Sequence, residues 1–186
     1  MNLEYRHLID PNLPDTARVW IYQSNRLFSL QEALQLEAEL NAFTSEWKTH
    51  GTPVPAAGYL FFGQFLVLIA DETEATVSGC STDKSVHFIQ SIEAAYGVQL
   101  MDRTTLAFVV KDRLQLLPLA QLNYAIEHGY VGPATLYFNN LVNDLAGLKN
   151  VLANQATKKT PAIVLIKDSI YPPRSTSPRW PEAADE

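Results

Sequence analysis

The segment YLFFGQFLVLIA (Tyr59–Ala70) contains two apolar runs separated by Gly63-Gln64. A two-residue connection that opens with glycine is typical of a type II′ β-hairpin. The segment therefore predicts two antiparallel strands, Tyr59–Phe62 and Phe65–Ala70. Because both runs are almost continuously apolar, we expect this hairpin to be covered on both of its faces.

The residues before the hairpin predict a strand followed by a helix. The strand is ARVWIYQ (Ala17–Gln23), which is rich in residues that favour β-structure. Ser29 and Glu32 have the spacing of a capping box, and an apolar stripe with helical periodicity follows them as far as Trp47. Gly51 stands where the glycine that ends a helix is expected.

The residues after the hairpin predict a second helix from about Thr82 to Tyr96, which stops at Gly97, and then a strand at Thr104–Val110. The resulting order, βαββαβ, is that of a ferredoxin-like core. We therefore expect an α+β fold in which residues 16–111 form this core. The sheet should be antiparallel, with both helices on one face and the first strand between the third and the fourth.

Residues 112–170 are expected to form a C-terminal α/β extension of the same domain, which would span residues 1–170. The patterns in this extension predict three strands and two helices: Arg113–Leu117, a short helix after Pro118, Thr135–Phe138, a helix capped by Asn143 or Asp144 that reaches Ala153, and Pro161–Ile166. Residues 171–186 contain four prolines and no periodicity, which predicts a disordered tail.

The composition is that of a soluble protein: 186 residues, 47% hydrophobic, with a formal net charge of −6. The single cysteine excludes an internal disulfide, and Met1–Asp15 has no apolar signal-peptide core. The longest apolar run, Ala56–Ala70, is too short to span a bilayer. We therefore expect a cytoplasmic protein that does not bind membranes.

The charges are unevenly distributed along the chain. Eight acidic residues and one basic residue lie between Gln31 and Asp83, whereas six basic residues and one acidic residue lie between Ala146 and Pro181. This polarity favours either self-association or attraction of an anionic partner. An ordinary solvated surface is the simpler interpretation, and it stays open. Nucleic-acid binding is not expected, because the chain is acidic and the strand Thr104–Val110 contains only one aromatic residue.

The segment around Cys80 is the first candidate site. Cys80 stands at the entrance of the predicted helix, followed by Ser81, Asp83, Lys84 and His87. Lys84 and His87 would favour the thiolate of Cys80, while Ser81 and the helix N-terminus would receive an anion. In the alternative interpretation Cys80 is a small structural residue, Ser81 or Asp83 caps the helix, and the two basic side chains face solvent.

A second candidate site lies at the opposite end of the predicted sheet. Arg103 either forms an ion pair with Asp102 that ties a loop, or holds a carboxylate or phosphate beside Gln23 and Asn25. Asn139 and Asn140 either end a strand and satisfy a turn, or contribute amides to a ligand site if the extension folds over the core.

Several functional classes are not supported by any motif. The chain contains neither a G-x-x-x-x-G-K-[ST] phosphate loop nor a G-x-G-x-x-G after a strand, and its four histidines do not have metal-ligand spacing. We therefore expect no cofactor and no metal site. Because no complete catalytic set is present, the sequence favours a non-enzymatic binding or interaction module, with an unidentified protein partner or a second copy. A thiol-dependent enzyme or anion-binding sensor centred on Cys80 is the alternative.

Five segments together resemble a family of small, uncharacterised bacterial proteins: Arg18–Asn25, Trp47 with His50-Gly51, Ser78–Val86, Asp102-Arg103 and Phe138–Val142. Members of this family often carry the description "ABC transporter ATPase". That description implies a Walker A phosphate loop and an ABC signature, which this chain lacks. We therefore interpret the description as a misassignment, and the resemblance adds no catalytic residue.

Overall fold

A computed structural model describes residues 3–73, 77–132 and 134–150 of the chain, together with the backbone of residues 163–165. The helices and strands in chain order are β1 (Arg18–Gln23), α1 (Leu30–Glu46), β2 (Lys48–Thr49), β3 (Thr52–Pro53), β4 (Ala56–Phe61), β5 (Phe65–Ala70), α2 (Gly79–Tyr96), β6 (Thr105–Val110), β7 (Arg113–Pro118), α3 (Leu122–Glu127), β8 (Leu136–Phe138), α4 (Leu145–Lys149) and β9 (Ile163–Leu165). Helices and antiparallel sheets thus confirm the predicted α+β class.

The predicted hairpin is present, and its second strand is the centre of a sheet with the order β1-β5-β4, antiparallel throughout. Its turn is shifted by one residue from the prediction. Phe62 and Gly63 have φ of +55° and +64°, and the Gln64 N–H donates to the Phe61 carbonyl at 3.0 Å. Two successive positive φ angles define a type I′ turn rather than type II′, and this geometry places a phenylalanine side chain at the turn.

The ferredoxin-like topology is not confirmed, because the strand order differs. β6 pairs with β7 and β8 in a second antiparallel sheet, β7-β6-β8-β9, instead of pairing with β1. A tight turn at Lys111-Asp112, with φ of +50° and +58°, places β7 along one edge of β6, and β8 occupies the other edge. The β1 edge is contacted instead by the Asn143 carbonyl, which accepts the Val19 N–H at 3.0 Å.

The two long helices cover one face of the three-stranded sheet, as predicted. Leu36 and Leu40 of α1 pack with Ile89 and Ile92 of α2 against the β5 side chains of that face. Gly58 allows this close approach, since a Cβ at that position would lie 3.0 Å from Leu40 Cβ. The layer is therefore built from the apolar stripes that the sequence pattern indicates.

The predicted start signal of α1 is confirmed, whereas the predicted end signal is wrong. Ser29 and Glu32 form both hydrogen bonds of the capping box. The helix ends at Glu46, and Gly51, with φ of +85°, lies with His50 in the turn between β2 and β3 instead of ending the helix. Glycine tolerates a positive φ both at the end of a helix and in a hairpin turn. Only the pairing of β2 with β3 shows that Gly51 lies in a turn.

The opposite face of the three-stranded sheet is covered by segments from both ends of the described chain. Tyr5 and Ile9 from the N-terminal segment, Phe138 from β8 and Leu145 from α4 belong to one buried cluster with the β5 side chains of this face. The hairpin is therefore covered on both faces, as expected. The extension thus folds back over the core.

The strands and helices predicted for the extension are present at β7, α3, β8, α4 and β9, and the side chain of Asp144 caps α4 by accepting the Gly147 N–H. The predicted continuation of the last helix to Ala153 and the predicted disordered tail at 171–186 lie outside the described residues. The single-domain boundary at residue 170 stays a prediction. Among the described residues, no helix is long and apolar enough to cross a membrane.

Candidate ligand-binding cleft

The structure places Cys80 inside the first turn of α2 rather than before it. The helix begins three residues earlier than predicted because Ser78, not Ser81 or Asp83, is its N-cap residue and accepts the Ser81 N–H. The side chains of Cys80, Asp83, Lys84 and His87 are exposed on the outer face of the helix.

In the described part of the chain, neither Lys84 nor His87 forms a hydrogen bond with the Cys80 thiol. His87 Nδ1 lies 3.3 Å from Gln90 Oε1 on the same helix. Within residues 3–73, 77–132 and 134–150, Cys80 and Lys84 form no hydrogen bond or ion pair. The Cys80 segment is therefore a solvated helix face with one accessible thiol.

Ser81 is not available to receive an anion, which corrects the sequence-based expectation. Its side chain is buried, and its hydroxyl donates to the Lys48 carbonyl at 2.8 Å. The Trp47 Nε1–H donates to the Ser81 carbonyl at 3.2 Å. Because the helix begins at Gly79, Ser81 faces β2 and ties α2 to it.

At the other end of the sheet, Asp102 and Arg103 act separately. Asp102 accepts hydrogen bonds from the Thr104 N–H and hydroxyl and from the Thr105 hydroxyl, and these bonds lower the pKa of its carboxyl group. Arg103 instead donates to the Ile21 carbonyl at 3.2 Å. The predicted ion pair between the two is thus replaced by a loop-closing turn and a contact with the β1 edge.

Gln23 is buried and connects three parts of the fold. Its Nε2 donates to the Thr105 carbonyl at 3.1 Å, and its Oε1 accepts from Asn140 Nδ2 at 2.8 Å. The end of β1 is thereby joined to the start of β6 and to the loop after β8. The structure thus brings Gln23 and the FNNLV segment together, although 117 residues separate Gln23 from Asn140.

Beside this connection lies a partly open cleft, which we call the aromatic cleft. It encloses about 300 Å³ of empty space, counting the part that opens to solvent. Aromatic and aliphatic residues line it together with two adjacent asparagines: Tyr5, Ile21, Phe61, Phe62, Phe65, Val67, Phe138, Leu148, Asn139 and Asn140. Because this space is continuous with solvent, the cleft is an open depression, and a mostly apolar wall with a few polar groups is typical of small-molecule sites.

The aromatic walls are held by ring contacts between distant segments. The Phe138 ring stacks on Phe65 with centroids 4.5 Å apart and meets Phe62 edge-on at 5.6 Å. The Tyr5 ring lies 4.8 Å from that of Phe61, and the Tyr5 hydroxyl donates to the Leu148 carbonyl. Burial raises the pKa of Tyr5, so this hydroxyl stays a neutral donor.

Sequence reasoning included the two asparagines but missed the aromatic walls. Phe62 was assigned to the end of a strand, whereas its positive φ places it at the turn beside the cleft. Tyr5 lies in a segment with no periodic pattern. The one sequence signal for an aromatic wall was Phe62, which stands directly before the hairpin glycine Gly63.

Within the described part of the chain, no three His, Cys, Asp or Glu side chains come together to hold a metal ion. Comparison of the sequence with protein-family models and with curated proteins, and of the fold with solved structures, finds no match. The function is therefore argued from the cleft alone.

Proposed function

We propose that this protein is a non-enzymatic binding module and that the aromatic cleft is its binding site for a small molecule. The observation that carries the proposal is the cleft itself, an apolar depression between the sheet and its cover that is bordered by the buried polar residue Asn139. A buried polar group beside an apolar cleft is the arrangement that orients a ligand.

The faces of the three-stranded sheet support this assignment over a partner bound on the sheet. One face is covered by α1 and α2, and the other by the N-terminal segment, β8 and α4. The cleft is where this second layer leaves space between the sheet and its cover. A ligand there would contact the core and the extension together.

The proposal is tested by recording two-dimensional ¹H–¹⁵N spectra of the full chain with single compounds: toluene, phenol, cyclohexanol, benzamide, benzoate and benzylamine. Each is raised to about 10 mM, or to its solubility limit where that is lower, so that a ligand with a millimolar Kd is largely bound. At least one should shift the amide signals of residues 61–64 and 139–141 in a saturable manner. If no compound shifts these signals, the cleft is not a binding site.

A matched pair of variants locates the binding. Phe62→Ala removes a half-buried ring from the cleft wall and should weaken binding about fivefold, the effect of one aromatic contact. Phe43→Ala removes a similarly half-buried ring from the helical side of the sheet and should leave the Kd unchanged. Equal weakening by both variants would contradict binding in the cleft.

The alternative function, a thiol-dependent enzyme or anion-binding sensor centred on Cys80, is favoured by one observation, the exposure of the thiol. It ranks second because Ser81 is engaged with Lys48 and because Cys80 forms no hydrogen bond to a described residue. The proposed binding function does not depend on Cys80, so the variant Cys80→Ser should bind cleft ligands as the natural chain does.

A further inference from the structure

We infer that two copies of this chain associate through strand β4, whose outer edge pairs antiparallel with the same edge of the second copy. The interacting surface consists of this edge and of the neighbouring side of α1, which carries Leu30 and Leu34. The inference is independent of the proposed binding function, because it involves neither the cleft nor a ligand. It follows from the direction of the β4 backbone groups, from their exposure, from the position of α1 and from the size and charge of the side chains.

The odd-numbered residues of β4 direct their backbone groups toward β5. The Phe61 carbonyl accepts the Gln64 N–H at 3.0 Å, at the start of β5. At the other end of the hairpin, the Pro55 carbonyl accepts the Asp71 N–H at 2.8 Å. Backbone direction alternates along an antiparallel strand, so the even-numbered residues of β4 direct their groups away from the sheet.

These even-numbered residues are Ala56, Gly58 and Leu60, which direct three N–H and three carbonyl groups outward. Among the residues that the structure describes, none forms a hydrogen bond with these groups. Gly58 is half-buried, and the accessible surface of a glycine is backbone surface. Leu40 closes one face of it, since a Cβ at position 58 would lie 3.0 Å from Leu40 Cβ. The β4 backbone is therefore accessible to solvent at the centre of the strand.

Two other sheet edges of the described chain are protected, whereas the β4 edge is not. The β1 edge is contacted by the Asn143 carbonyl and by the Arg103 guanidinium. The β7 edge strand carries the exposed Arg113 and ends in Pro118. Charges, prolines and covering segments of this kind prevent edge-to-edge association. The sequence of β4, AAGYLF, contains neither a charge nor a proline, and such an edge is the kind that another strand extends.

The side chains of β4 fit a second copy of the same strand. In an antiparallel pair centred on Gly58, the two glycines face each other. Ala56 then lies opposite the partner's Leu60, and on the other face Ala57 lies opposite the partner's Tyr59. This register pairs all the outward backbone groups and places each large side chain beside a small one. Because β4 carries no charge, two chains with a net charge of −6 meet there without like charges in the strand pair.

Helix α1 lies above the β4 side of the sheet, and α2 lies above the β1 side. Leu40 of α1 lies over the centre of β4, whereas Ser85 of α2 lies beside Tyr22 of β1. Glu39 of α1 accepts the Tyr96 hydroxyl of α2 at 2.9 Å, so Glu39 marks the side of α1 that faces α2. The opposite side of α1 therefore points toward the β4 edge.

Two exposed leucines occupy that side of α1. At 100° per residue, Leu30 lies about 180° and Leu34 about 140° around the helix from Glu39. Their side chains are 78% and 62% exposed. Along the described α1, Glu37 is the one charged residue on this side. Pairing of the two β4 strands would bring the two α1 helices side by side and remove these leucines from water.

Sedimentation velocity of the full chain measures the association. A strand edge and one helix side form a small interface, so we expect a dimer with a micromolar or weaker Kd. The chain should change from monomer toward dimer between about 5 µM and about 500 µM. A monomer at every concentration in this range would overturn the proposal.

Hydrogen exchange of the ¹⁵N-labelled full chain tests which surface is used. The amides of Ala56, Gly58 and Leu60 should exchange at least about fivefold more slowly at 1 mM than at 20 µM, because pairing gives them acceptors. The amides of Ala57 and Tyr59 already bond to β5 and should exchange slowly at both concentrations. A dimer in which the three outward amides exchange equally fast at both concentrations uses another surface, and the proposal is then wrong.

A matched pair of variants tests the contribution of α1. Leu30→Glu together with Leu34→Glu should raise the dimer Kd at least about tenfold, because like charges then face each other across the two copies. Leu119→Glu makes the same change at a leucine that is 50% exposed directly after β7, and it should leave the Kd unchanged. Equal weakening by both changes would contradict the proposal.

A further variant tests the edge itself. Ala56→Pro removes an outward N–H that has no partner among the described residues of one copy, so the hydrogen bonds between β4 and β5 are kept. It should weaken the dimer, and it replaces the leucine variants if these do not fold. Unchanged dimerisation of a folded Ala56→Pro chain would contradict pairing through β4.

Discussion

Asn140 Nδ2 donates to Gln23 Oε1 at 2.8 Å, and this bond joins the loop after β8 to the end of β1. Gln23 also donates to the Thr105 carbonyl, so a single buried side chain holds the second sheet and the extension against the first sheet. The same bond fixes the orientation of the Asn140 amide, and Asn140 borders the aromatic cleft. We therefore expect this connection to contribute to the stability of the fold.

Replacing Gln23 by alanine should lower the free energy of unfolding by roughly 2 kcal/mol, because it leaves a partly buried carbonyl and a partly buried amide without partners. Urea unfolding followed by circular dichroism measures the change. Gln35→Ala on the exposed face of α1 is the control and should stay within about 0.5 kcal/mol. In a double-mutant cycle, Gln23→Ala and Asn140→Ala should couple; strictly additive effects would show that their hydrogen bond contributes nothing.

The capping box of α1 should make stability depend on pH. The bidentate hydrogen bonds from Arg26, together with that from the Ser29 N–H, lower the pKa of Glu32 from its ordinary 4.5 to about 2. A carboxyl group whose pKa is lower in the folded protein than in the unfolded chain stabilises the folded protein at pH values above the pKa of the unfolded chain. This stabilisation is fully present above pH 4.5 and is lost progressively as the pH falls toward 2.

The variant Glu32→Gln should therefore have a shallower fall in the urea midpoint between pH 4.5 and pH 2 than the natural chain. Glutamine at this position still accepts from the Ser29 N–H, so the variant removes the charge and keeps the capping bond. Glu37→Gln, an exposed position of the same helix, serves as the control and should leave the slope unchanged. If the urea midpoint falls with pH equally steeply in Glu32→Gln and in the natural chain, the pH dependence does not come from Glu32.

Gly97 should be sensitive to a side chain for a purely backbone reason. It ends α2 in the left-handed conformation with φ of +61°, and a Cβ there would meet no atom within 4 Å. Gly97→Ala should lower the free energy of unfolding by roughly 1 kcal/mol. Gly97→Asn should lower it by less, because asparagine tolerates this conformation better. Gly79→Ala, in equally open space in the first turn of α2, should instead stabilise by about 0.5 kcal/mol. Equal effects at the two glycines would count against this explanation.

Cys80 should react with a maleimide in the folded protein at a rate close to that of the urea-unfolded chain, because its side chain is exposed. Moving the thiol by one residue, with Cys80→Ser and Ser81→Cys together, should slow labelling at least about tenfold, since position 81 is buried and reacts only after local opening. Mass spectrometry follows both reactions. Protection of Cys80 until unfolding would show that the first turn of α2 is covered in solution.

The features predicted correctly from the sequence are those that depend on neighbouring residues. Ser29 and Glu32 form their capping box within one helical turn, and Gly97 ends α2 because it adopts a left-handed φ of +61°. The apolar stripe of α1 was likewise predicted, because the spacing of Leu36 and Leu40 reflects helical geometry alone. Each of these signals is complete within a short window of the chain.

Features that depend on competition between distant segments were predicted wrongly or missed. The sequence predicted that β6 pairs with β1, whereas in the structure β8 pairs with β6 in a second sheet. Ser81 carries a good capping side chain, yet Ser78 begins the helix and Ser81 is buried against Lys48.

By itself the sequence determined the α+β class, the capping box of α1, the glycine that ends α2, the Tyr59–Ala70 hairpin and the apolar stripe of α1, because short-range periodicity and backbone preferences encode them. Only the tertiary structure decided which strands pair and where the aromatic cleft lies. The walls of the cleft include Tyr5, Phe62 and Phe138, and Gln23 orients the amide of Asn140 at its border. Residues so far apart acquire a common function only when the free energy of packing brings their segments together.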